Sequence, residues 1–211
     1  MENIMRLPLG ALASNCYIIP ADGNKAVVVD PASSGEVEAV LDSNDMEIGG
    51  IVITHGHFDH FAGVSALKAL SGAPVYAPDF DAEMLGSADK SWAWFMQGTE
   101  FAPITPDHVF TDGETFSVCG VEFRVMAAPG HTAGSCLLFC EQFGVIFTGD
   151  VIFRGSAGRT DGFSGSGRMM MESLQKIRGI RGNYTLLCGH GESTDLETEK
   201  LRNPYLAEID G

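Results

Sequence analysis

With 211 residues, 45% of them hydrophobic and 19% charged, the chain has the composition of a folded protein with a sizeable core, not of a disordered one. The formal net charge of −15 works against the clustered Lys and Arg that a phosphate backbone requires, so no nucleic-acid partner is expected. No apolar run reaches the roughly 18–20 residues of a membrane span. Residues 1–20 lack the basic start and compact apolar stretch of a secretory leader, so no membrane partner and a cytoplasmic location are expected.

In chain order, Cys16 to Pro20 and Ala26 to Asp30 read as strands flanking a turn at Asp22-Gly23. Ser34 to Ser43 has Val37, Val40 and Leu41 at helical spacing. Ile51-Val-Ile-Thr54 is a short buried strand, His60 to Leu70 is predicted helical, and Pro74 to Ala77 returns as a strand. Asp79 to Pro106 is the least regular stretch. Its cluster of Trp92, Trp94, Phe95 and Met96 is read first as core, with a lid over a cleft as the competing reading.

The second half is more strictly β at first, with strands at Thr115–Val118, Val121–Ala128, Cys136–Cys140 and Val145–Thr148. Met169 to Ile177 is a predicted helix, Thr185 to Cys188 a strand, and Leu196 to Leu206 a closing helix. Helices that punctuate two groups of strands make a layered α/β sandwich. No linker or fixed-period repeat divides the chain, so residues 1–211 are expected to form one domain. The five cysteines, Cys16, Cys119, Cys136, Cys140 and Cys188, form no Cys-x-x-Cys pair and read as reduced core thiols.

The chemistry concentrates in Thr54-His-Gly-His-Phe-Asp-His60, directly after a strand, which holds half of the chain's six histidines. Imidazoles and a carboxylate on one turn can converge on a divalent metal, where a strand would splay them apart. Gly56 is expected to let that turn bend tightly. Three more strands each end in a metal-type residue beside a glycine: His131 in Pro129-Gly-His, Asp150 in Thr148-Gly-Asp, and His190 in Cys188-Gly-His. His108, in Pro106-Asp-His without such a glycine, is read as a non-ligand.

In these motifs the chain resembles the metallo-β-lactamase superfamily over essentially its whole length. The resemblance implies an αββα sandwich with two divalent ions, zinc first, iron or manganese as alternatives. It implies that His55, His57 and His131 hold one ion, that Asp59, His60 and His190 hold the other, and that Asp150 bridges them. Two such ions would activate a water for hydrolysis, with Asp59 as the catalytic side chain that orients it or takes its proton. The resembling diiron flavoproteins carry Glu where this chain has His57. True β-lactamases lack the bridging aspartate, and the nucleic-acid-processing members carry a large extra domain.

Gly149-Asp-Val-Ile-Phe153, Gly158-Arg-Thr-Asp161 and the ending Arg202-Asn-Pro-Tyr-Leu206 are similar to short glyoxalase II-like hydrolases that lack the helical C-terminal domain of the longer enzymes. This implies a small-molecule thioester substrate, a hydroxyacyl-glutathione or its like. It makes Arg159 the candidate contact for a substrate carboxylate, unless Asp161 or another acid occupies it; Arg154 and Arg168 are weaker candidates. Two other readings share the fold. Persulfide dioxygenases hold a single iron on the equivalents of His55, His131 and Asp150 and carry a loop like Arg154-Gly-Ser-Ala-Gly-Arg-Thr-Asp161. A metal-binding member without turnover is the third reading, against which seven candidate ligands for two metals leave positions open for substrate.

Overall fold

The structure, a computed structural model, describes residues 4–96 and 98–207. The first half builds a sheet of six strands in sequence order: β1 (Met5–Leu9), β2 (Ser14–Pro20), β3 (Lys25–Val29), β4 (Glu47–Val52), β5 (Val75–Pro78) and β6 (His108–Phe110). The first three pair antiparallel through short turns. From β3 onward the pairs are parallel, because α1 (Gly35–Ser43) and α2 (Val64–Ser71) carry the chain back across the sheet. The short α3 (Ala82–Leu85) follows β5.

The second sheet holds β7 (Thr115–Val118), β8 (Val121–Ala127), β9 (Cys136–Cys140), β10 (Val145–Gly149), β13 (Thr185–Cys188) and β14 (Thr194–Asp195), in the order β14-β13-β10-β9-β8-β7. A small hairpin of β11 (Ile152–Phe153) and β12 (Ser156–Ala157) stands apart. The helices α4 (Gly167–Arg178), α5 (Leu196–Arg202) and α6 (Pro204–Ala207) complete the chain.

Strand alternation explains the layering. Val27 and Val29 of β3 join Phe116, Phe123, Leu138 and Phe147 in the core between the sheets. Val28, between them in sequence, points the other way into a core with Val37 and Leu41 of α1 and Val64 and Leu67 of α2. On the far face, Phe139 and Ile146 pack with Leu174 and Ile177 of α4 and Leu206 of α6. Three cores between four layers are the αββα sandwich expected from the sequence.

The differences from expectation have local causes. Glu47–Val52 starts earlier than the strand read at Ile51–Thr54, since Gly49 and Gly50 carry no side-chain periodicity. The helix expected from His60 begins only at Val64; before it, residues Phe58–His60 make one 3₁₀ turn, which turns His60 inward. The single closing helix is broken at Asn203, held extended at ψ 118°, because the residue before a proline is disfavoured in helix. Four of the five cysteines are buried and Cys119 is half-buried, all of them free thiols. No helix among the described residues is long and apolar enough to cross a membrane.

Candidate metal centre

All seven expected ligands converge at one edge of the sandwich, each delivered by a strand end. His55, His57, Asp59 and His60 follow β4, His131 follows β8, Asp150 follows β10 and His190 follows β13. The nitrogens of His55, His57 and His131 that could serve as ligands lie within 4.8 Å of one another, as do ligand atoms of Asp59, His60 and His190. Asp150 faces both groups: its Oδ1 is 3.5 Å from His60 Nε2, and its Oδ2 is 3.5 Å from His190 Nε2 and 3.6 Å from His131 Nε2. In the second group His60 Nε2 and His190 Nε2 are 3.3 Å apart, and Asp59 Oδ2 is 3.5 and 3.3 Å from them. A tetrahedral ion with ligands at about 2.0–2.1 Å sets its ligand atoms roughly 3.3–3.4 Å apart, so these spacings suit a metal.

Hydrogen bonds on the outer side fix which nitrogen of each ring keeps its lone pair. Asp30 accepts from Thr54 N (2.8 Å) and from Thr54 Oγ1 (2.6 Å). The hydroxyl, having donated to Asp30, accepts from His55 Nδ1 at 3.0 Å, which leaves His55 Nε2 unprotonated. His60 Nδ1 donates to Asp30 Oδ2 at 3.1 Å, and His131 Nδ1 donates to the Arg159 carbonyl at 2.9 Å. In both cases Nε2 is left as the inward ligand atom. His131 Nε2 lies 2.7 Å from His57 Nδ1. Among the described residues His57 has no such outer acceptor; the Trp92 ring stacks on it instead, at 4.9 Å and 19°. Trp92 holds a left-handed backbone, φ 63°, a strain of about 1–2 kcal/mol for a bulky residue.

The donor set passes a second test. Among the described residues, His55 Nε2 and Asp150 Oδ1 are buried without a hydrogen-bond partner. Each such atom costs about 1–3 kcal/mol, and a cation relieves that cost for an imidazole lone pair and a carboxylate oxygen.

The two groups differ electrically. Burial, together with the neighbouring imidazoles, drives His55 well below the ordinary histidine value and His57 to about 3. Burial would also lower His60, yet the carboxylates of Asp59, Asp150 and Asp30 raise it to about 10. His190 is raised too, because its hydrogen bond to Asp59 and the charge of Asp150 outweigh burial. For Asp59 burial acts upward, but His60 and the hydrogen bonds from His190 and Ser14 hold it well below the usual carboxylate range.

Four supporting residues escaped the sequence reading. Asp30 is one, and its signal was available: it ends a strand, as Asp150 does. Thr54 relays that carboxylate to His55. Ser14 Oγ donates to Asp59 Oδ2 at 2.7 Å. Asp81, fully buried, accepts from Gly56 N (2.8 Å), Gly134 N (2.8 Å) and Thr132 Oγ1 (2.6 Å). It thereby joins the loops that carry His57 and His131, and nothing in its neighbourhood of sequence announces this. Gly56 serves close approach rather than a tight bend, since a Cβ there would lie 2.6 Å from Met84 Cβ. At Gly189 a Cβ would fall 2.1 Å from Asp150 Oδ1, which explains the glycine before His190.

Beside these residues lies a cavity of about 380 Å³, lined by His57, Asp59, His131, Asp150 and His190. Leu12, Trp92, Trp94, Phe95 and Arg159 line it as well. The reading of the aromatic cluster as core is corrected here: Met96 is buried, but Trp94 and Phe95 are exposed and rim the cleft. Arg159 reaches the cavity, while its Nε and Nη2 grip Asp161 at 2.6 and 2.8 Å. His108 sits in β6 and faces Glu114 at 2.6 Å, apart from the cluster. The Asn203-Pro-Tyr-Leu206 ending is a brace: Asn203 Nδ2 donates to the carbonyls of Phe153 (3.2 Å) and Ser156 (3.0 Å), holding the hairpin that leads into the Arg159 loop.

A sequence model of the metallo-beta-lactamase superfamily matches residues 9–190, a span that contains all seven residues. The chain belongs to the metallo-β-lactamase superfamily. Within it, the chain is 30% identical to the hydroxyacylglutathione hydrolase GloC of Haemophilus influenzae, over 97% of this chain and 98% of that protein. Among solved structures, the BLEG-1 B3 metallo-beta-lactamase superposes with a TM-score of 0.88 at 30% identity, covering 97% of this chain and 99% of that one. A di-iron-bound form of TTHA1623 gives a TM-score of 0.85 at 28% identity, covering 96% of this chain and 100% of that one. The superfamily and its two-sheet fold are thereby established, and the His and Asp clusters are those of a site for divalent metal.

Proposed function

We propose that the chain is a dinuclear-metal hydrolase of acyl thioesters, of the glyoxalase II type. The observation that carries this reading is the shared placement of Asp150 between two ligand groups, each of metal-binding dimensions. His55, His57 and His131 would hold one ion, Asp59, His60 and His190 the other, with Asp150 common to both. Two divalent ions so held, zinc first and iron as in the TTHA1623 relative second, supply Lewis acidity and bring the pKa of water toward neutrality.

The protein's own groups do the rest. Asp59 Oδ2 is anchored by Ser14 Oγ, so contact with the attacking water falls to Oδ1. A carboxylate held far below the usual range is a poor proton acceptor at neutral pH, and we therefore assign Asp59 the orienting part. Arg159 Nη1 lies outside the Asp161 pair and supplies a donor to a substrate carboxylate at the cavity mouth. Support for the thioester comes from the full-length likeness to GloC. The likeness to BLEG-1 runs against the exclusion of β-lactams read from Asp150, so the test must include one.

Metal-quantified protein is assayed with S-lactoylglutathione, with a chromogenic cephalosporin, and with glutathione persulfide under oxygen-uptake recording. Thioester cleavage that rises with metal to about two ions per chain is expected, without oxygen uptake. Oxygen uptake with about one iron, or β-lactam turnover alone, would overturn the reading. A fully loaded protein idle on all three would leave a metal-binding member without this activity.

A further inference from the structure

The cavity that the candidate ligands line also has an apolar part, and its residues are on display. Trp94 is 65% exposed, Phe95 62% and Leu12 42%. Large apolar side chains grouped on a surface are a mark of a binding site, since covering them is favourable. These are not loose side chains. Trp94 and Phe95 meet edge to face, with centroids 6.0 Å apart at 84°. The turn that bears them is anchored by buried Ala93 and Met96 in the core beneath α1 and α2, and the Phe58 N–H donates to the Ser91 carbonyl at 2.9 Å. Trp92 continues the wall down to His57, on which it stacks.

Apart from the metal ions that the ligands would hold, charge offers the substrate a single guanidinium. The chain carries −15 overall. Among the described residues, the one Lys or Arg lining the cavity, Arg159, is paired through two nitrogens with Asp161 and lies 4.9 Å from the Trp92 ring. A small polar acyl group would reach the ligands and leave the wall bare.

We infer that Leu12, Trp92, Trp94 and Phe95 seat a bulky apolar arm of the substrate beside the metal ligands, so that the preferred substrates are thioesters of aryl or long-alkyl acids. This rests on the thioester-hydrolase reading above. The wall and the ligands line one cavity, which makes the substrate's own reacting end the reason the arm lies there. Its volume of about 380 Å³ lies within the range of pockets that take ligands much larger than a three-carbon acid.

The chain's two tryptophans, Trp92 and Trp94, are both in this wall, so intrinsic emission reports its occupancy without any turnover. The metal-loaded protein is titrated with S-benzylglutathione and with S-methylglutathione, non-hydrolysable thioethers that differ only in the arm. The benzyl compound is expected to shift the emission and to bind about tenfold tighter or more. The Leu12→Ala/Phe95→Ala variant, which keeps both tryptophans, is expected to bring the two compounds to parity, with far-UV dichroism and metal content confirming the fold. In turnover, kcat/KM for S-phenylacetylglutathione is expected to exceed that for S-lactoylglutathione by about as much, through KM, and the ratio collapses in the variant.

Equal binding of the two thioethers, or a difference that survives the variant, overturns the inference. So does a protein whose emission shifts on dilution with dissociation of a dimer but not with either thioether, since a second copy then covers the wall. Benzyl-selective binding without cleavage of either thioester would uphold the apolar seat and overturn the hydrolase reading.

Discussion

The two candidate ligand groups both face Asp150 but are built on opposite electrical plans. His55, His57 and His131 are all imidazole and all buried, and burial with mutual repulsion keeps His55 and His57 from protonating. Asp59, His60 and His190 mix carboxylate with imidazole at a half-open edge, where the carboxylates drive His60 up to about 10. At His55 and His57 an entering cation therefore meets imidazoles that carry no extra proton to displace. The second group already satisfies its carboxylates with protons, which a metal must expel. Two buried carboxylates outside the ligand set support the groups, one serving the first group and one serving both. Asp81 ties together the loops of the first, while Asp30 holds His60 directly and His55 through Thr54.

The sharpest way to break this comparison is to remove what the groups have in common. Asp150→Ala takes away the carboxylate that faces His60, His190 and His131. Metal content is expected to fall from about two ions per chain to one or fewer, and kcat/KM for the thioester by roughly a thousandfold or more. Metal analysis beside kinetics checks it. Two ions retained with near-normal turnover would show that the groups do not depend on a shared ligand.

Acidity separates the groups without mutation. A metal entering the second group must displace the proton held by His60, whose value of about 10 lies above neutrality, so affinity there falls about tenfold per pH unit as pH drops. His55 and His57 are already unprotonated across this range. Between pH 8 and pH 6 the second ion is therefore expected to weaken about a hundredfold and the first by much less. Competitive zinc titrations with a chelator at both pH values resolve the two constants, and parallel slopes would contradict the contrast.

Asp81→Asn and Asp30→Asn probe the supports. Loss of an outer partner to a ligand costs about 10–100-fold in metal affinity. Asp81→Asn is expected to weaken the ion of the first group, whose loops it joins. Asp30→Asn should weaken both, because Thr54 and His60 lose the same acceptor. Cobalt spectra taken at one and two equivalents distinguish which ion is affected.

Much of this was legible before any coordinates, and the reasons are specific. Strand periodicity and the helix read at Ser34–Ser43 pointed to the layers, and the recurrence of His or Asp after a strand picked out the residues that the fold brings together, because metal chemistry restricts residue type and spacing together. What stayed hidden depends on contacts between segments far apart in the chain. Asp81 meets Gly56, Thr132 and Gly134, at separations of 25, 51 and 53 residues, and no local pattern encodes such a meeting. The aromatic cluster misled for a related reason. Composition says that Trp94 and Phe95 favour burial but cannot say whether the burying surface is the protein's own core or a ligand's.

Ser14→Ala is the mildest test and the most selective. Ser14 opens β2, paired with Leu9 of β1, and forms an isolated bridge with His190, so its backbone place does not depend on its hydroxyl. The hydroxyl donates only to Asp59 Oδ2 among the described residues, and its removal withdraws one hydrogen bond from a ligand of the second group alone. Loss of about 1 kcal/mol corresponds to about a fivefold weaker second ion, with the first unchanged. The Asp59 pKa should rise, since one of the bonds that lowers it is gone. That predicts a lower kcat at saturating metal if Asp59 orients the water through a fixed carboxylate. An unchanged kcat with a weakened second ion would confine Ser14 to metal retention and remove the orienting part assigned to Asp59.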